Sequence, residues 1–282
     1  MKLFPVILSA SVFALSFGVQ AAVITSTSSY DYPSESMSDT QTDTSNIESS
    51  SVSAQVSSYG GEWGPMATSE GNSEGAFRLR AGGSGYGYTA QSSFSYATSF
   101  TNAANSAQNA FLDLNFDEGS LAAGFYDVSS SSADLEIHAQ VFVNDVMQWE
   151  TGAFMQADSS SSLYNIAYYG DFASNSSVET NGVGNGGLNW GTHSYTVDLG
   201  LIDALTSFDL RYVVSVFARD FGTDGSSYTH AGMGDPFNVS FDNSSISFVP
   251  ATGTGYVSVS EPSGLALLGF GLFLLNLKRR KS

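Results

Sequence analysis

Cysteine is absent from the 282 residues, and no lysine occurs between Leu3 and Leu277. The first absence excludes disulfides, thiolate metal sites and a cysteine nucleophile, so the fold must hold by packing and hydrogen bonding alone. The second leaves Arg78, Arg80, Arg211 and Arg219 as the cations of that stretch, against 26 aspartates and glutamates between Ala22 and Ser260, a formal charge of −22. Nucleic acids and anionic lipids are bound through clustered cations, and this stretch has none to offer. Histidine is almost as scarce, with His138, His193 and His230 the full set. Each is expected at a surface or turn position rather than in a Ser/His/Asp triad, which would need the three members to meet in space. Long apolar runs are missing too, except at the two ends.

The chain opens MKLFPVILSASVFALSFGVQAA, with one early cation at Lys2, an apolar stretch from Leu3 to Val19 broken by single serines, and then small residues. This layout predicts a secretory signal peptide over residues 1–21, cleaved after Ala21 or alternatively after Ala22. The secretion translocon and signal peptidase are then its first partners. The chain closes SEPSGLALLGFGLFLLNLKRRKS, where Gly264 to Leu277 holds only apolar residues, glycine and Asn276. As a helix, about fourteen residues would be roughly 21 Å long, short of a ~30 Å hydrocarbon core. A single transmembrane helix over 264–277 therefore needs snorkelling or local thinning, which suits a transient anchor. Lys278, Arg279, Arg280 and Lys281 form the basic stop expected to stay cytoplasmic.

Ser260-Glu261-Pro262, a short apolar segment and a terminal Arg/Lys cluster, in that order, resemble the PEP-CTERM sorting domain of Gram-negative bacteria. The same tail is sometimes labelled an ice-binding protein C-terminal domain, and nothing in these residues points to ice. Ser260 stands where the family usually has proline. The resemblance spans about Val257 to Ser282 and implies an address rather than an activity. It implies recognition by the membrane enzyme exosortase at an inner-membrane intermediate, then delivery to the cell surface or extracellular matrix. Members of the family are associated with exopolysaccharide and biofilm.

Between the ends, residues 22–59 are rich in serine and threonine, which predicts either a flexible stalk or, from the partial alternation of Ile47 to Val56, a first edge strand. Residues 60–249 alternate polar and apolar. LEIHAQVFV puts Leu135, Ile137, Ala139, Val141 and Val143 on one face, and FDLRYVVSVFA does the same with Phe208, Leu210, Tyr212, Val214 and Val216. Such strands, split by Gly/Asn/Ser/Asp turns, predict an all-β fold, an antiparallel β-sandwich or jelly roll. Roughly 235 exported residues suffice for one such domain. Short helices are expected only at Thr101 to Gln108 and Leu201 to Leu205. DFASNSSVETNGVGNGGLNW is expected to be a loop, and residues 250–259 a linker to the sorting tail over 260–282.

Three chemistries compete. Calcium takes several oxygens, and Asp220, Asp224, Asp235 and Asp242, with Asp117 and Glu118, lie in Asp/Asn/Gly-rich stretches that supply them. None completes the D-x-[DN]-x-[DN]-G pattern, and turn acids in Asx geometry are the competing explanation. Polysaccharide binding would use exposed aromatics, and Trp63, Tyr168, Tyr169 and Trp190 are the candidates, with core or rim packing as the alternative for each. Trp149 is expected to pack inside. Glycoside hydrolysis would use a carboxylate pair, for which Glu136, Glu150 and Glu179 are nearest to plausible. The expectation is a non-enzymatic surface or matrix protein. The alternatives are a calcium-assisted carbohydrate-binding module and a carboxylate-pair hydrolase.

Overall fold

Small hydroxyl residues and β-branched or aromatic residues alternate through most of the chain, a pattern that fits the pleat of half-buried strands. The computed structural model describes residues 23–33, 36–46, 51–58, 64–72, 77–85, 87–116, 118–125, 131–160, 164–170, 172, 176–180, 185–222, 227–233, 245–250 and 257–258. The expected signal peptide with Ala21 and Ala22, the sorting motif Ser260-Glu261-Pro262, the membrane span and the basic stop lie outside the described residues, as do Trp63, Asp117, Asp224, Asp235 and Asp242.

The strands are β1 (Val23–Tyr32), β2 (Met37–Ser45), β3 (Ser51–Ser57), β4 (Met66–Asn72), β5 (Phe77–Gly85), β6 (Tyr88–Thr101), β7 (Gln108–Phe116), β8 (Gly119–Phe125) and β9 (Ser132–Val143). They continue as β10 (Val146–Asp158), β11 (Asn165–Tyr169), β12 (Ser176–Thr180), β13 (Asn185–Trp190), β14 (His193–Ile202), β15 (Ser207–Asp220), β16 (Ser227–Met233), β17 (Ser245–Pro250) and β18 (Val257–Ser258). A front sheet runs β11-β10-β9-β15-β6-β1-β2, a back sheet β12-β13-β8-β16-β5-β4-β3, and a third sheet β14-β7-β17-β18. Every described pairing is antiparallel. The fold is therefore all-β and sandwich-like.

Strand length explains the third sheet. Front strands β6 and β15 have 14 residues each, back strands β8 and β16 only 7. At ~3.3 Å per residue the front strands are about twice as long, so the back sheet leaves part of their inner face bare. The third sheet packs on the likewise long β10: Phe116 of β7 stacks on Trp149 of β10 at 6.4 Å, and Tyr195 of β14 lies 5.2 Å from the same indole. Trp149 thus packs against the core, as expected of it. Arg78, Arg80, Arg211 and Arg219 sit on β5 and β15, interior strands flanked on both sides.

The Ser/Thr-rich segment forms β1, β2 and β3. β1 is interior to the front sheet, and β3 is an edge of the back sheet. Beside the buried Ile24, Val52 and Val56, several inward residues of this end are small: Ser26 and Ser28 of β1, Ala54 of β3, Ala67 and Ser69 of β4 and Ser92 of β6 are all fully buried. Two hydroxyls bond across the gap between sheets, Ser28 Oγ to the Ala54 carbonyl at 2.9 Å and Ser69 Oγ to the Ser93 carbonyl at 2.6 Å. From β2, Gln41 Oε1 accepts from the Gln55 amide at 2.9 Å and Asp43 Oδ2 from the Ser53 amide at 3.0 Å, closing the open edge of β3.

Neither expected helix forms. Asn102, fully buried at the end of β6, turns the chain instead: its Oδ1 accepts from the Ala104 amide at 3.1 Å. Its Nδ2 lies 2.9 Å from the Ile202 carbonyl, 3.0 Å from that of Asp203 and 3.1 Å from that of Ser106. One amide therefore ties both turns, and Leu201 and Ile202 belong to β14. The expected loop before Trp190 is also corrected, since it contains β12 and β13. Glycine there serves close approach, not disorder: a Cβ at Gly187 would lie 2.5 Å from the Leu121 carbonyl oxygen of β8.

Ser69→Leu should overfill the narrow end and lower stability by about 2–3 kcal/mol in urea denaturation. Ser95→Leu, on the outer face of β6, should change it by less than about 0.5 kcal/mol.

Candidate functional site

The outer face of the front sheet gathers the most chemically varied exposed residues. β9 buries Leu135, Ile137 and Ala139 and turns Glu136, His138 and Gln140 outward. Gly152 of β10 lies directly opposite His138, and Tyr169 of β11 directly opposite Gly152. With no side chain at 152, the rings of His138 and Tyr169 come within 5.2 Å, centroid to centroid. A Cβ at Gly152 would also lie 2.1 Å from the Ile137 carbonyl oxygen. Glu150 Oε2 lies 3.2 Å from His138 Nε2, with the imidazole 24% and the carboxylate 43% exposed. Burial, together with the charges of Glu136 and then Glu150, holds the Tyr169 hydroxyl above the usual phenol range.

Local sequence sets this cluster. Asn144 and Asp145, at φ 49° and 62°, form the tight turn between β9 and β10, the left-handed geometry that asparagine and aspartate tolerate. A bulge between Met147 and Trp149 then shifts the register by one. Trp149 is thereby directed against Phe116, and Glu150 toward His138. Farther along the same face, β1, β2 and β6 present Thr25, Thr27, Thr40, Thr42, Thr44, Ser93 and Ser95. Thr25 pairs with Thr44 and Thr27 with Thr42, hydroxyl to hydroxyl at 3.2 and 3.3 Å. An aromatic and acidic end thus adjoins a hydroxyl-rich end. The first can stack on the apolar face of a sugar ring while its carboxylates and imidazole bond the hydroxyls.

The other candidates separate. Tyr168 pairs with the buried Ala153 and so faces the side opposite Tyr169, 37% exposed. Trp190 was a candidate ligand contact with core or rim packing as the alternative, and it packs: it is 4% exposed and meets Phe172 edge-on at 5.1 Å. Large apolar area won over its polar handle, and among the described residues its Nε1 has no hydrogen-bond partner. Glu179 lies on β12 in the other sheet. Asp220 is 2% exposed: Oδ1 accepts from the Gly222 amide at 2.9 Å, an Asx turn, and Oδ2 from the Ser227 hydroxyl. Beside it Tyr88, whose hydroxyl bonds Gly83 O at 2.5 Å and lies 2.8 Å from Thr229 Oγ1, is pushed well above the usual phenol range, by burial first and Asp220 second. Among the described residues no three His, Asp or Glu side chains group as metal ligands.

Two histidines depart from the expected surface or turn position. His193 is 7% exposed at the start of β14, against Phe172 and Tyr195. His230, half-buried in β16, is pulled from 6.5 down to about 4, chiefly by burial and further by Arg80. No family model matches this chain, and no curated protein matches it.

His230 makes stability pH-dependent in one direction. Between about pH 6.5 and 4 the unfolded chain binds a proton that the folded chain refuses, so this contribution is complete above 6.5 and is lost as pH falls toward 4. His230→Gln should flatten the fall in unfolding free energy across that window by about 3 kcal/mol, measured by urea titration at successive pH values.

Proposed function

We propose that this chain is an exported, jelly-roll-wound β-sandwich of the bacterial cell surface or extracellular matrix, sorted through an exosortase-type pathway and serving an adhesive, non-enzymatic role. The address rests on the sequence alone: the apolar N-terminal segment, and Ser260-Glu261-Pro262 followed by an apolar run and a basic end. The jelly-roll winding is supported by β5–β6, β8–β9 and β15–β16, which cross between front and back sheets and pair with one another in both. The adhesive role is carried by one observation: the partly exposed His138, Glu150 and Tyr169 cluster on an open sheet face. An open face suits a polymer lying across it, which is why exopolysaccharide is the partner proposed.

Retention of the full chain on immobilised exopolysaccharides tests this reading. Tyr169→Ala, which removes the stacking ring from an edge strand, should weaken retention about tenfold, with unchanged thermal unfolding. Equal retention of the variant, or none of the parent chain across neutral and acidic polymers, would refute the adhesive role. Cell fractionation tests the address separately. Ser282 and the basic end should be missing from the surface form, and an intact tail held permanently in the inner membrane would sink the sorting proposal.

A further inference from the structure

Among the described residues the outer edge of β2 is long, unbroken and open. Residues 38–44 are all exposed, and the pairing with β1 runs without a shift from Ser45 to Met37. The hydroxyl contacts of Thr25 with Thr44 and Thr27 with Thr42 mark these as the closely spaced pairs of an antiparallel ladder. Residues in such pairs aim their amides and carbonyls away from each other. Thr42 and Thr44, and by alternation Thr40, therefore present their backbone groups to the open side. The Thr40 amide is held only by the neighbouring Asp39 Oδ1, at 2.8 Å. The other described edges are shorter or managed: β11 and β12 have 5 residues each, β14 carries a bulge at Asp198/Gly200, and β3 is capped by Gln41 and Asp43. An open edge of this kind is a template for another strand.

The sequence of β2 says which strand. Ser38-Asp39-Thr40-Gln41-Thr42-Asp43-Thr44 reads nearly the same in both directions about Gln41. We infer that β2 pairs antiparallel with β2 of a second copy, about a twofold axis at Gln41. Thr40 then exchanges both backbone hydrogen bonds with Thr42 of the second copy, and the two glutamines face each other. Threonine opposite threonine is a favourable cross-strand pair, and a twofold contact of this kind closes as a dimer. The same symmetry sets Asp39 opposite Asp43 of the second copy, twice. Like charges directly opposite oppose the pairing, so the acids act as a gate that keeps the edge from joining freely. The dimer has one continuous front sheet, with the hydroxyl-rich face running across the junction. This inference does not depend on the polysaccharide reading.

Sedimentation of the full chain over a concentration series tests it. The double variant Asp39→Asn, Asp43→Asn keeps an amide oxygen for the Ser53 and Thr40 amides while removing the repulsion, and should tighten the dimer by at least about tenfold. Thr42→Pro removes an open-side amide, a substitution edge strands accommodate, and should leave only monomer with the circular dichroism of the parent chain. A double variant that stays monomeric throughout, or a Thr42→Pro chain that dimerises like its parent, would overturn the inference.

Discussion

Close approach of two sheets lined by small residues is the constraint on which the N-terminal half depends. Sheets packed through leucine and phenylalanine stand about 10 Å apart, too far for a serine hydroxyl to reach the opposite backbone. Here Ser28 and Ser69 do reach it, because Ser26, Ala54, Ala67 and Ser92 leave the gap narrow. Composition that would signal disorder in isolation therefore builds a packed layer, its cohesion coming from cross-sheet hydrogen bonds together with the buried Ile24, Tyr30, Tyr32, Val52 and Val56. Toward the other end the inner face switches to rings. Tyr96, Tyr212, Phe94, Phe77, Phe116, Trp149 and Tyr195 follow one another within about 5 to 7 Å, the range of favourable ring pairs.

The exposed face of the front sheet depends on a smaller device. Strand side chains alternate with a period of two, so one inserted residue exchanges every later side chain between core and solvent. The bulge after Met147 is that insertion. Without it Trp149 would face solvent and Glu150 would enter the apolar interior, an exchange opposed by both the indole's area and the carboxylate's hydration.

Periodicity made the central strands legible. β9 and β15 bury the residues their alternation predicts, because both lie inside a sheet with one face on the core. The failures have local causes. The stretches around Thr101 and Leu201 suggested helices, but one buried amide, Asn102, bonds the backbone of both turns, a long-range contact that no local pattern reveals. Glycine-rich β13 looked like a loop because the requirement for glycine comes from β8, distant in sequence. At the candidate site, alternation put Glu136 and His138 on one face and the aromatic pair drew notice to Tyr169. The association of His138 with Glu150 needed the bulge, and that of His138 with Tyr169 needed the gap at Gly152.

The placement of Arg78, Arg80, Arg211 and Arg219 on β5 and β15 has a consequence for resistance to proteolysis. Proteases that cleave after basic residues need several residues of extended chain free to enter the active cleft. Between Leu3 and Leu277 every such bond starts in a strand, paired on both sides at Arg80, Arg211 and Arg219 and with β4 at Arg78, and no lysine offers a softer place to cut. Cleavage after Arg80, Arg211 or Arg219 must wait for the sandwich to open through its core, an event governed by the stability of the whole domain rather than by any loop. The scarcity of basic residues thus doubles as armour against one broad class of digestive enzyme.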